Sequence, residues 1–407
     1  MIPIYGLVAM NIIYYLGSFP KLSASFVLNE IYELEQSGHN VAVCALNNPN
    51  ENIVHEEFNQ LNIPTYYFQR PSYINIIDLI SKKTLHPRIL KQTAYRAPIK
   101  SHVANLFRAK RCIDFVESLG WDPDHFHAHF AGGSKFGAKY ASNYFEVPFT
   151  VTTHAADLYK GPKKNSIVSL LQSATRIVTI SEYNKKRIHE QYTSATPIDI
   201  IRAGIRPEKF ASTNGSESNR ILTISRFVEK KGLKYALEAV NIVTEAFPDL
   251  EYHLIGSGEL EHDLRQKTQK LGINENVSFL NNVTDKRLVS ELDKASCFLL
   301  PCVVAESGDR DGIPVVLMEA MAMETPPIST NISGIPELIE NKTNGILTKP
   351  RDPEATADAI MSLLKNESIR EKYGKVARKK IVSDYNINTE TKKLEDTFQT
   401  AHDMSTQ

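Results

Sequence analysis

Cysteine is scarce in this chain. Cys44, Cys112, Cys297 and Cys302 are the only four in 407 residues, and no two stand two residues apart as in a metal knuckle or a redox motif. A disulfide-stapled secreted scaffold is thereby excluded, and a reduced, cytoplasmic setting is expected. Neither sign of charge is in surplus, since 47 Lys and Arg offset 47 Asp and Glu. No whole-molecule field gathers nucleic acid, and any attraction to an anionic surface must come from a local patch. A membrane-spanning run is missing too: the apolar start from Met1 to Ala9 has no basic flank and soon meets Asn11, which fits neither a signal peptide nor a span. Finally, Gly256-Ser257-Gly258 continues to Glu261 where a dinucleotide fingerprint needs its third glycine, so a nicotinamide oxidoreductase is set aside.

What is present is an ordinary globular composition, 42% apolar and 23% charged, in a chain too long for one domain. Short β-branched runs at 12–16 and 41–46 flank a helical stretch at 25–36, and runs at 149–153, 176–181 and 198–201 continue the pattern with helical segments between them. Residues 213–219 are polar and rich in Gly and Ser, which suits a linker. Beyond them the alternation restarts: 220–225, a helix at 233–246, then 251–255, 277–280 and 297–301. The expected fold is α/β, two Rossmann-like parallel-sheet domains over 1–212 and 220–385 whose strand ends face across a cleft.

One segment breaks the rhythm. From 79 to 113 there is no acidic residue, while Lys82, Lys83, Arg88, Lys91, Arg96, Lys100, Arg108, Lys110 and Arg111 all fall there. With Ile76, Ile77, Ile80, Ile89, Leu90 and Phe107 on an apolar face, it would suit peripheral contact with anionic lipid or a diphosphate-linked acceptor; a solvated helical excursion explains it equally well.

Two clusters look chemical. In Ser225-Arg226-Phe227-Val228-Glu229-Lys230-Lys231-Gly232, two cations leave a strand's carboxyl end beside a helix start. Arg226 can grip oxygens bidentately and Lys231 can act as a point charge, together offsetting the charge on a departing diphosphate. Further on, Asp311 stands just before a helix signalled by Pro314, and Glu319 lies within that helix. If its N-terminus points into the cleft, backbone groups around Ile313, Pro314 and Val315 face the phosphates. Solvated surface cations and an acid placed for the helix dipole are the plainer explanations. His154 follows the 149–153 run at a strand's carboxyl end, where polar residues meet ligand. Asp157 caps the next helix or orients that histidine. His127 and His129 would share a strand face, but no third ligand stands at metal spacing, so no metal site is expected.

Taken in order, Ser18-Phe19-Pro20-Lys21-Leu22-Ser23, His127-Ala128-His129-Phe130, Thr153-His154-Ala155-Ala156-Asp157, the Arg226/Lys231 run, Ile255-Gly256-Ser257-Gly258, Gly308-Asp309-Arg310-Asp311-Gly312-Ile313-Pro314 and Asn344-Gly345 resemble the retaining glycosyltransferases of family 4, in a variant similar to exopolysaccharide and colanic acid enzymes. The resemblance implies a GT-B fold and metal-independent transfer, with no cofactor, from a UDP- or GDP-linked sugar to a saccharide or lipid-linked acceptor. It places the donor on the second domain. Arg226 and Lys231 would hold the diphosphate, Asp311 the donor sugar and Glu319 the ribose. His154 would project toward the transferred sugar, Gly17 and Ser18 would lie in a loop facing the phosphates, and 279–283 would hold the base. Residues 386–407 would cross back to the first domain.

The chain departs from the pattern at Asp311, which replaces a commoner Glu, at Ala24, and at Glu324 and Pro327, where Gly and Val are frequent. Met10 begins the part that resembles the family, so residues 1–9 read as an upstream extension. A phosphorylase or sugar-nucleotide epimerase of the same shape, or a non-catalytic sugar-nucleotide binder, are the rival expectations.

Overall fold

The computed structural model describes residues 9–50, 55–68, 86–90, 99–160, 165–192, 195–213, 219–281 and 283–405. Seven strands form the first sheet: β1 Asn11–Ser18, β2 Asn40–Asn47, β3 Thr65–Tyr67, β4 His125–His129, β5 Phe149–Thr153, β6 Arg176–Thr179 and β7 Ile198–Ile200. Six form the second: β8 Arg220–Ile224, β9 Glu251–Ile255, β10 Val277–Leu280, β11 Cys297–Leu300, β12 Pro327–Thr330 and β13 Ile346–Thr348. Every pairing is parallel, in the orders β3-β2-β1-β4-β5-β6-β7 and β10-β9-β8-β11-β12-β13. The two orders share one plan, each reversing direction beside its first strand. The crevices between β1 and β4 and between β8 and β11 are therefore the topological switch points where ligands bind in such sheets.

The strands read as near-continuous apolar runs because helices cover both faces. In the helix Ser25–Gln36 the buried residues are Val27, Leu28, Ile31 and Leu34, and in Leu233–Thr244 they include Leu233, Ala236, Leu237, Val240 and Val243. Both sets follow helical spacing, so each helix lays one stripe on its sheet.

Two segments connect the lobes, one outward through 201–219 and one returning at Tyr385–Ile387. They touch: Ile205 N–H donates to Tyr385 O (2.9 Å), and Ile387 N–H donates to Ile205 O (2.9 Å). Gly204 lies so close to Ile387 that a Cβ would fall 2.5 Å from its Cα. The last helix, Ile387–Ser405, packs on the first lobe. Phe398 is fully buried and stacks on His125 with centroids 4.1 Å apart, while Glu395 accepts from His39 Nε2 (3.2 Å).

Of the basic 79–113 segment, Lys82, Lys83, Lys91 and Arg96 lie outside the described residues, as do Ile76, Ile77 and Ile80. Ile89, expected on an outward apolar face, is fully buried in the first lobe's core, because the turn Pro87–Leu90 packs inward. Helix Ile99–Ser118 likewise turns Ala109, Cys112, Ile113 and Val116 to the core. Among the described residues no helix is long and apolar enough to cross a membrane.

Candidate active site

The turn after β8 is built around close backbone approaches. Phe227 is fully buried and its N–H donates to Ser257 O (2.8 Å). Gly256 (φ +137°) and Gly258 (φ +159°) press against the Ser225 and Phe227 backbones, where a Cβ has no room. Gly256, in the Ile255–Gly258 motif that the resemblance shares, lets the loops after β8 and β9 touch next to Arg226 and so borders the expected donor site. Arg226 itself is exposed, and its guanidinium makes no hydrogen bond or ion pair among the described residues.

A 3-10 turn, Glu229–Lys231, then buries Lys231, and Gly232 (φ +69°) starts the helix Leu233–Thr244. Lys231 Nζ sits 2.7 Å from Asp311 Oδ2, and Lys230 Nζ lies 3.3 Å from both Asp309 Oδ1 and Asp311 Oδ1. Burial opposes the charge on each partner. The attraction wins: Asp311 raises the Lys231 ammonium above its ordinary value, and Lys231 with Lys230 pulls the Asp311 carboxyl below the usual range. The two residues expected to hold different parts of a ligand thus meet directly, and Lys230, which the sequence had left unassigned, is their third member.

Pro314 stands one residue outside the helix Val315–Ala322, at its N-cap, rather than within the first turn. It has no N–H to offer, and Leu317 N–H is already taken by Pro314 O (3.1 Å), so Val315 and Val316 carry the unclaimed donors of this helix end. Ile313 is buried and packs against Gly334. Gly17 and Ser18 close β1 itself and are not in a loop; Gly17 O accepts from Asn47 Nδ2 (3.1 Å).

Glu319 lies on the same helix as Val315 but has different charged neighbours: His55 of the first lobe, Asp285 and Lys209. His55 and Asp285 form an ion pair across the cleft at 3.8 Å. Burial, countered by His55, pushes the Glu319 carboxyl up to about 7. A carboxyl whose folded value exceeds its unfolded 4.5 keeps its proton on folding. Stability is therefore greatest below the unfolded value and declines as pH rises toward the folded one. Glu319→Gln removes this slope. In urea titrations the variant is expected to match the parent near pH 4 and to exceed it near pH 8 by about 2 kcal/mol; equal slopes for both proteins would contradict the assignment.

Three more contacts join the lobes, and none was visible in the sequence. Glu337 accepts the backbone N–H groups of Glu182 (3.0 Å) and Tyr183 (2.9 Å), capping a first-lobe helix from the second lobe. The Arg310 guanidinium lies 4.9 Å from the Tyr159 ring centroid. Gly312 faces Ile180 and Ala155, which brings the Asp311 loop against the helix that His154 starts. His154 is buried, and Asp157 accepts its N–H (2.8 Å) and that of Ala131 (2.9 Å), so Asp157 acts as the cap.

His127 and His129 do share a face, and the third ligand-type group that spacing failed to reveal arrives from a helix: Glu30, His127 and His129 bring ligand-type atoms within 4.8 Å of one another. Each is already engaged, however. His127 contacts the Thr150 hydroxyl (2.7 Å) and the Thr152 hydroxyl (2.9 Å), and Glu30 accepts from Tyr14 (2.6 Å) and contacts His129 (2.9 Å). Burial drives both His127 and His129 down to about 3, so both are neutral.

Two parallel sheets of one plan, facing across a cleft with a buried cation at its mouth, define a glycosyltransferase of GT-B type. Residues 23–209 match the family described as Glycosyltransferase Family 4, and residues 205–380 match Glycosyl transferases group 1; the chain belongs to the family 4 glycosyltransferases. It is similar to the amylovoran biosynthesis glycosyltransferase AmsK of Erwinia amylovora, with 28% identity covering 93% of this chain and 96% of that one. It is also similar to the putative colanic acid biosynthesis glycosyltransferase WcaL of Escherichia coli K12, with 28% identity covering 95% and 99%. Among solved structures, Anabaena HepE in complex with UDP-glucose superposes with a TM-score of 0.72 at 16% identity, covering 96% of this chain and 100% of that one. A Rickettsia africae glycosyltransferase does so with 0.72 at 15%, covering 97% and 99%.

Proposed function

We propose that this glycosyltransferase moves a sugar from a UDP- or GDP-linked donor onto a saccharide or lipid-linked acceptor in polysaccharide assembly, with retention at the anomeric carbon and without metal or cofactor. In this reading 220–385 is the donor lobe, 1–212 the acceptor lobe, 213–219 the linker and 386–407 the return onto the first lobe. Arg226 and Lys231 hold the diphosphate, and the first N–H groups of the Val315–Ala322 helix, beside Ile313 and Pro314, add to the same positive corner. Asp311 meets the donor sugar, Glu319 the ribose, and 279–283 the base. Gly17 and Ser18 face the phosphates from the end of β1, and His154 forms the first-lobe wall beside the sugar. The enzyme works in the cytoplasm, and the basic 79–113 segment touches the membrane surface.

The observation that carries the reading is the buried Lys231–Asp311 pair beside an Arg226 guanidinium that has no partner among the described residues. A charge-balanced pair next to an unmatched guanidinium suits a ligand whose negative charge grows as it departs, because the cations are already in place and need no reorganisation. The test is a panel of UDP- and GDP-sugars scored by thermal shift, since a ligand specific for the folded state raises the melting temperature by mass action, followed by product analysis with and without acceptor. A stabilising donor whose sugar appears on an acceptor supports the proposal. Conversion of the donor without acceptor indicates an epimerase, phosphate-dependent cleavage a phosphorylase, and binding without turnover a carrier.

A further inference from the structure

Behind the cleft wall a small, partly open pocket is lined by Phe26, Glu30, His129, His154, Arg202 and Gly204. Three of these side chains form a hydrogen-bonded series. His154 Nε2 lies 3.1 Å from His129 Nδ1, and His129 Nε2 lies 2.9 Å from Glu30 Oε1, the oxygen that also accepts from the Tyr14 hydroxyl at 2.6 Å. The rings are fixed as well as bonded. His154 stacks near-parallel to His129 with centroids 5.4 Å apart and has Phe130 at 4.3 Å and Phe26 at 5.0 Å.

The direction of this series is set at its far end. The Tyr14 hydroxyl donates to Glu30 Oε1, and the same oxygen faces His129 Nε2. An oxygen accepts there, so His129 carries its proton on Nε2 and, as a neutral ring, leaves Nδ1 bare toward His154 Nε2. His154 is then the Nε2–H tautomer and donates to His129 Nδ1. Burial raises the Glu30 carboxyl above its ordinary value, and its Oε1 accepts from both His129 and Tyr14. The opposite polarity would leave a bare His129 Nε2 against the lone pairs of Glu30 Oε1 at 2.9 Å. Burial keeps His154 and His129 well below their ordinary values, in line with two neutral rings.

We propose that Glu30 and His129 are positioning residues for glycosyl transfer: anchored by Tyr14, they fix the ring of His154 at the carboxyl end of β5 as a neutral Nε2–H imidazole. The proposal rests on the reading that His154 borders the sugar being transferred. A sugar losing its diphosphate becomes electron-poor at the anomeric carbon, and a cationic imidazole at that wall would oppose the change. The series keeps the positive charge away and the ring still, so Glu30 and His129 serve the reaction without touching the substrate.

The test uses the full-length chain labelled with ¹⁵N-histidine, with the His154 signals identified by their loss in His154→Ala. Near neutral pH, His154 is expected to show a protonated Nε2 and an unprotonated Nδ1. His129→Phe keeps a ring of similar shape but removes the acceptor; it is expected to lose that signature and to lower kcat about 10- to 100-fold while leaving the donor KM within about threefold. Glu30→Gln still offers an oxygen to Tyr14 and His129, so it should retain the tautomer and lose less. If His129→Phe does not fold, the Glu30→Gln variant and the parent spectrum decide alone. A cationic or Nδ1-protonated His154 in the parent overturns the proposal, as does an unchanged kcat in a folded His129→Phe. Absence of transfer from every nucleotide sugar defeats the functional reading instead, and the parent spectrum still judges the relay.

Discussion

Lys231→Ala lowers kcat/KM about a hundred- to a thousand-fold, the loss seen when a preorganised charge facing a transition state is removed. It also lowers stability, because Asp311 then keeps only Lys230 at 3.3 Å as counter-charge. Arg226→Ala provides the contrast. That guanidinium is exposed and unpaired among the described residues, so its removal costs turnover without a change in melting temperature. Lys231→Arg separates charge from shape: the buried turn seats a point charge 2.7 Å from Asp311, a geometry that a longer planar fork does not reproduce, and activity stays low although the charge is kept. The measurement is steady-state kinetics with the donor found in the thermal-shift panel, beside denaturation curves for each variant. Should Lys231→Ala and Arg226→Ala both turn over within about threefold of the parent, the cationic corner is not the donor phosphate site.

Gly232→Ala unfolds the corner that Lys231 occupies. Gly232 has φ +69°, which an alanine adopts at a cost of about 1–2 kcal/mol, and its Cβ would overlap the Pro301 carbonyl at the end of β11. Backbone cannot give way as a flexible side chain can, so either the helix Leu233–Thr244 or the turn after β11 must move. The expected loss is about 3 kcal/mol or more in urea denaturation of the whole chain, with donor-induced thermal stabilisation abolished. Gly272→Ala is the control. That residue has a similar φ of +72° and nothing within 4 Å of the added Cβ, so its cost is the conformational part alone. Equal losses at both positions would show that the close approach to Pro301 carries no energetic weight.

Both positions illustrate what the sequence could and could not disclose. The β-branched runs announced most strands because a doubly covered parallel sheet needs unbroken apolar stretches, and the Arg226/Lys231 run stood out because its two cations leave a strand's carboxyl end beside a helix start, where a diphosphate can be held. Glu324, expected to alter a helix end, takes φ +61° where a glycine would sit without strain. The short strands β3, β12 and β13 escaped notice, since three or four residues, one led by Pro327, give no period to read. β4 was legible only through His127 and His129 sharing a strand face; three histidines in five residues are tolerated there because hydroxyls of β5 and the carboxyl of Glu30 engage them. Contacts between distant segments were beyond reach altogether. Nothing near Glu337 in the sequence says that it caps a helix starting more than a hundred residues earlier, and nothing near Glu30 says that two histidines will meet it.

The paired crossing at Ile205 and Tyr385–Ile387 makes the second lobe an insert in the topological sense, entered and left at one point of the first lobe's surface. A lobe attached in this way can be exchanged as one cassette without cutting the recipient's sheet or unseating its terminal helix. A lineage of such enzymes could therefore revise what it accepts on one side and keep what it recognises on the other, with Gly204 as the seam that has to stay thin.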